Sequence, residues 1–302
     1  MYNVNDAIGT DPKLLLKESD WIERSRLHIA RIAAVTDPWL EKRSRQQKDP
    51  VLDFLFEYYP FRVSHIKRWS PGIGVKLEHS GTHPLPAGIE LTVDGDVAYL
   101  DPLNLTEKRI RSFRWILELL EQSARRKPHF GCFGMHEWAM VYRAQEIRHD
   151  QIPLRLPADE IARFVESRPL LCTHYDAYRF FTEPAQPMNR HSLNRNSFTD
   201  MEQSGCIHTN MDLYKWTFKL SPWIESELIA DTFLNAVEAR RTDMRASPYD
   251  ARAFGLEPIP IETEEGRREY LKKQMEIHDR SAPLRKRLIL ACRDILRQAS
   301  FL

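Results

Sequence analysis

Apolar residues recur at three- and four-residue spacing along most of this chain, a period that gathers them on one face of a helix. Trp21, Leu27, Ile29, Ile32 and Ala33 mark a helix over 20–35, which Pro38 is expected to interrupt. A second helical stretch runs over 50–69 and breaks at Pro60. Ile110, Phe113, Ile116, Leu117 and Leu120 share a face in a helix that starts at Thr106. Further helices are expected over 135–148 and 157–167, through "MDLYKWTFKL", and after Ser221-Pro222 through "ESELIADTFLNAVEARRTDM". A last one over 263–299 should be interrupted at Pro283.

One stretch breaks the period. "GVKLEH" and "IELTVDGDVAYLDP" are short, β-branched and punctuated by glycine and proline. The Asp-Gly pair within Val93–Val97 predicts a hairpin turn. The fold class is therefore mainly α (α+β): one helical domain over 1–302 with a small antiparallel β-hairpin element. Residues 1–19 read as an extended N-terminal segment, and the polar run 182–206 as a long loop or lid. No repeat of fixed period and no low-complexity tract is present.

The formal net charge of +1 gives no global field that would select nucleic acid, membrane or acidic partners. Basic runs at 41–48, 108–114 and 125–127 suit either a phosphate backbone or solvated helix faces. No apolar run has the length of a membrane span, and the N-terminus lacks the pattern of a signal peptide. Cys132, Cys172, Cys206 and Cys292 are widely spaced and form no CxxC, which points to a reducing, cytoplasmic setting. No feature points to a protein partner.

Three segments repeat a local pattern of cysteine, then histidine, then carboxylate. "CFGMHE" holds Cys132, His136 and Glu137; "CTHYD" holds Cys172, His174 and Asp176; "CIHTNMD" holds Cys206, His208 and Asp212. The sharp reading is one shared pocket. His136, His174, His208 and Asp212 would then be ligands of zinc or iron. No local HExxH or CxxC pair accompanies them, because Met140 stands where HExxH needs its second histidine. The plain reading makes the cysteines small buried hydrophobes and the histidines core hydrogen bonders.

A metal-free chemistry fits the same residues. Glu137 or Asp176 could act on water, oriented by His136 or His174, to break an N-glycosidic bond. Trp138, Tyr175 and Tyr214 could stack a flipped base, and Lys215 and Arg245 could meet phosphate or a substrate anion. Aromatic residues at helical spacing more often belong to a core.

"WSPGIGVKL" resembles the Pro-Gly-x-Gly turn of the helix-hairpin-helix DNA glycosylases, with Asp94 downstream, but "EHSGTHPLPAG" breaks the second helix that motif needs. A broader likeness rests on "HFGCFGMHEWAMVYR", "HYDAYRFFTEPAQPMN", "CIHTNMDLYKWTFKLSPW" and "DMRASPYD". These blocks resemble a bacterial protein family of about this length that carries the label 3-methyladenine DNA glycosylase. The resemblance implies a hydrolase that frees a modified base from DNA or a nucleoside. The alternative is a metal-dependent hydrolase or oxygenase acting on a small molecule, and a third class is a binding protein without catalysis.

Overall fold

The longest helices run straight through the prolines expected to stop them. The computed structural model describes residues 14–147 and 151–300. Strand β1 (Leu14–Leu16) leads into helix α1 (Glu18–Ser44), which includes Pro38. Residues 1–13 of the expected extended segment lie outside the described residues, and Glu18 and Ser19 already belong to α1. Pro38 is solvent-exposed, so water can reach the carbonyl that loses its amide partner. Thr36 and Trp39 anchor the helix on either side. The Thr36 hydroxyl donates to Ile32 O at 3.0 Å, and Trp39 Nε1 donates to Asp53 at 2.8 Å.

Pro60 does break its stretch, into α2 (Leu52–Tyr58) and α3 (Val63–Ile66). Strands β2 (Val75–Glu78), β3 (Thr92–Asp94) and β4 (Val97–Tyr99) follow. The expected hairpin is β3–β4, and it extends into a four-stranded mixed sheet of order β1-β2-β4-β3, in which β1 pairs parallel to β2. The sheet carries its own small apolar cluster, Trp21, Trp69, Leu77 and Ala98. Strand β2 directly follows the "SPGIG" turn, so no second helix of a helix-hairpin-helix forms there, and Asp94 is exposed on β3.

Helix α4 (Glu107–Arg125) starts as expected, with the Thr106 side chain accepting from Arg109 N. Next come α5 (Met135–Ala139), α6 (Ala158–Glu166), α7 (Tyr175–Tyr178) and α8 (Phe198–Met201). The helix expected over 135–148 ends at Ala139; residues 148–150 lie outside the described residues. Thr182 holds its end open: its amide donates to Ala139 O at 3.2 Å and its hydroxyl to Tyr142 O at 2.7 Å. The run 182–206 is not plain loop. It contains α8 and two short 3-10 turns, and Asn189 ties it to the chain before α7.

Helices α9 (Ile207–Leu220), α10 (Ser226–Ala246) and α11 (Glu264–Ser300) form the centre, with α9 packed along α10 and α11 laid over both. Helix α10 begins four residues beyond the Ser221-Pro222 pair, at Ser226. Pro283 lies inside α11 and is exposed, so it is tolerated as Pro38 is. Every residue of α9 from Ile207 to Tyr214 is buried, including His208, Asn210 and Asp212. A helix enclosed on all sides is normally apolar all round. The buried polar residues His208, Thr209, Asn210 and Asp212 in that stretch therefore mark it as the place to look for chemistry.

Candidate functional site

The three Cys-His-carboxylate segments meet. The His136 and His208 rings lie edge to face with centroids 4.3 Å apart, and His174 stacks on His208 at 5.4 Å. All three imidazoles are buried. A tight turn delivers the first of them: Gly134 has a φ of 74° and caps α5, which places His136 one residue into the helix. A Cβ there would adopt a backbone conformation that only glycine takes freely. His208 comes from the first turn of α9, and His174 immediately precedes α7.

The convergence resolves into two groups rather than one. In the first, His136, His208 and Asp243 each offer one ligand atom within 4.8 Å of the others. His136 Nε2 lies 2.8 Å from Asp243 Oδ1, and His208 Nε2 lies 3.9 Å from Asp243 Oδ2. Arg240 Nη1 donates to Asp243 at 2.7 Å and to Glu137 at 2.5 Å, so the whole cluster is buried and charge-paired. In the second, His174 groups with Asp176 and Asp212. Lys215 Nζ donates to both carboxylates, at 2.9 and 3.0 Å, and the Tyr59 hydroxyl donates to Asp212 Oδ1 at 2.5 Å. His208 and Asp212 share a helix face, as their spacing predicts, but each serves a different group.

Local charge sets the protonation of these imidazoles in opposite directions. Burial penalises charged His136, but the Asp243 carboxylate overrides that and holds the ring well above its ordinary value. Burial and the neighbouring His136 push His208 well below its own, leaving it neutral. Burial also opposes charge on His174, and Glu202 and then Asp212 raise it. Burial likewise opposes charge on Asp243 and Asp176. His136 nevertheless lowers the first, and Lys215 the second.

His208 lines two spaces. On one side is a cleft of about 450 Å³, within the range of small-molecule sites. Its floor carries Glu137, Asp176 and Arg240, and its aromatic wall is Phe54, Tyr58 and Phe180. Phe54 stacks on Tyr58 at 5.0 Å, and the Arg240 guanidinium covers the Phe54 ring at 3.9 Å. On the other side is a void of about 10 Å³, room for one water-sized particle. Cys132, Cys172 and Cys206 all border it, with His136 and Tyr270. The repeated cysteine of the sequence pattern therefore faces away from the cleft.

The expected base-stacking residues lie elsewhere. Trp138 is fully buried, donates Nε1 to Ala246 O at 2.9 Å and packs on Phe164. Tyr214 is fully buried among Tyr59, Phe61 and Phe233. Tyr175 packs on Phe198. None of the three is among the cleft residues. Arg245 also stands apart, donating to Glu257 O at 2.7 Å and pairing with Glu269 at 3.1 Å. Lys215 does join the site, through Asp176 and Asp212. Sequence reasoning missed Asp243, Tyr59 and Glu202 as members. Only Asp243 left a signal: it follows Arg240 by three, which puts an arginine and a carboxylate on one face of a helix that is mostly buried.

No helix among the described residues is long and apolar enough to cross a membrane. No family model, curated protein or solved structure matches the chain.

Proposed function

We propose that this chain is a metal-dependent enzyme acting on a small molecule, with His136, His208 and Asp243 as the metal ligands. One observation carries the reading: two imidazoles and a carboxylate lie within 4.8 Å beside a ligand-sized cleft onto which His208 opens. Ligand distances of about 2.0–2.2 Å put two donors to one ion at most about 4.4 Å apart, so the group needs only a small contraction. Zinc held there would supply an activated water for hydrolysis, and iron would supply oxygenase chemistry. Arg240 orients Asp243 and Glu137, and Phe54, Tyr58 and Phe180 offer a flat substrate an aromatic wall. The four free cysteines support a reducing, cytoplasmic setting.

A second reading is an N-glycosylase, including one that releases 3-methyladenine from DNA or from a nucleoside. It is favoured by Glu137 and Asp176 both facing the aromatic cleft. It ranks second because both carboxylates are already engaged by cations, Arg240 and Lys215, which weakens either as a base.

Elemental analysis of the purified protein tests the first reading. Stoichiometric zinc or iron that is lost in His208→Ala and in Asp243→Asn is the expected result. A metal-free protein that releases 3-methyladenine from alkylated DNA, and loses that release in Glu137→Gln or Asp176→Asn, would replace it with the second. Neither metal nor release would leave a binding protein.

A further inference from the structure

His174 is buried and its Nε2 has no hydrogen-bond partner, although it lies 3.8 Å from Asp212 Oδ2. Its other nitrogen, Nδ1, is 2.9 Å from Glu202 Oε1 but off the hydrogen-bond line. A carboxylate behind one imidazole nitrogen, with the other nitrogen free, is the usual support of a metal-bound histidine. Asp212 is similarly braced, because the Tyr59 hydroxyl holds Oδ1 and leaves Oδ2 toward the group. Lys215 Nζ bridges Asp212 Oδ2 and Asp176 Oδ2, the same oxygens that a bound ion would need.

We propose that His174, Asp176 and Asp212 form a second divalent-cation site, in which the incoming ion displaces the Lys215 ammonium. The proposal deepens the metal reading above: it rests on that reading for the ion's role in catalysis, and on its own residues for binding. One imidazole with two carboxylates is a harder donor set than two imidazoles with one carboxylate. It therefore favours manganese(II) or iron(II) where the first group favours zinc or iron. Lys215 has somewhere to go. Its Nζ already lies 4.4 Å from the Trp216 ring centroid, where the indole face holds an ammonium well. The exchange replaces one positive charge by two between two carboxylates, so charge balance favours the ion.

The full chain, stripped of metal by dialysis against chelator, is titrated with manganese(II) while the electron-spin signal of the free ion is followed. Two equivalents per chain are expected. His174→Ala and Asp176→Asn should each lose one, and His208→Ala should lose the other. Lys215→Met removes the competing cation and should tighten the His174-dependent equivalent about tenfold or more. Manganese is also a quencher, so Trp216 emission should fall with the same equivalent, and the drop should vanish in Asp176→Asn. That optical signal keeps the test open if Lys215→Met folds poorly. A single equivalent in both wild type and Lys215→Met that survives His174→Ala and Asp176→Asn would overturn the proposal, as would two equivalents in both His174→Ala and Asp176→Asn. A single equivalent that is lost in His174→Ala and kept in His208→Ala would instead sink the functional reading and leave this site standing.

Discussion

His136 and His208 touch edge to face at 4.3 Å, yet one is held protonated and the other neutral. The asymmetry comes from Asp243. It lies 2.8 Å from His136 and 3.9 Å from His208, so it stabilises charge on the first far more than on the second. Once His136 is charged it disfavours a second charge beside it. The two like side chains are thereby held in opposite protonation states.

This pair makes the stability of the metal-free chain depend on pH. The folded value of His136 lies above its ordinary 6.5, so its contribution is complete below about pH 6.5 and is lost as pH rises through the raised value. The folded value of Asp243 lies below its ordinary 3.8, so its contribution is present above about pH 3.8 and is lost as pH falls through the lowered value. The melting temperature of metal-free protein should decline on the alkaline side of neutrality. Metal-loaded protein should decline less there, because binding already requires an unprotonated His136. A metal-free melting temperature that stays flat from neutral to alkaline pH would contradict this account of the pair.

Asp243→Asn should be the most damaging single change in the cluster. It leaves the charged His136 and Arg240 buried side by side with one carboxylate fewer. Removing one partner of a buried pair costs about 3–5 kcal/mol. Urea unfolding of the metal-free variant should show a loss of that size. His208→Ala, which removes a neutral ring, should cost less. Equal losses would mean that packing, not charge, dominates here.

Asn189 acts as a clamp on the segment that carries His174. Its side chain accepts from Cys172 N at 2.8 Å and donates to Cys172 O at 3.1 Å and to His191 O at 2.7 Å. Asn189→Ala leaves buried backbone groups unpaired, which costs about 1–3 kcal/mol. The second cation site should weaken with it while the His208-dependent site keeps its affinity. Isothermal titration on the variant separates the two, and an equal weakening of both would point to general loosening.

The thiols offer a check on the void behind the histidines. Burial pushes Cys206 and Cys292 up to about 12 and holds Cys172 well above its ordinary value. Cys132 alone of the four is partly exposed. A disulfide reagent at neutral pH should therefore titrate one thiol quickly in native protein and four in denaturant. Fast reaction at Cys172 or Cys206, located by peptide mapping, would show that the void opens to solvent.

Much of this was readable from spacing. The amphipathic face of α4, the helical stretch of α9, the Asp-Gly hairpin and the shared Cys-His-carboxylate pattern of the three histidine segments all follow local pattern. The prolines in α1 and α11 did not, because their tolerance depends on which side of each helix faces water. Trp138 and Tyr214 are turned into the core and away from the cleft. Neighbours on a helix point about 100° apart, so a residue next to a ligand tends to face another way. Asp243 and Arg240 reach His136 and Glu137 across more than a hundred positions of sequence, through the docking of α5 on α10. No local window holds both ends of such a contact.

The burial of every α9 residue from Ile207 to Tyr214 has a consequence for how this site can diverge. A helix with neighbours on every side cannot shift or change volume without disturbing all of them. Its His208 and Asp212 are in effect immovable fixtures. The half-buried Phe54, Tyr58 and Phe180 sit instead on and beside the short helices α2 and α7, at the rim of the cleft. New binding preferences at this cleft would therefore arise by exchanging rim residues around an unchanged polar centre.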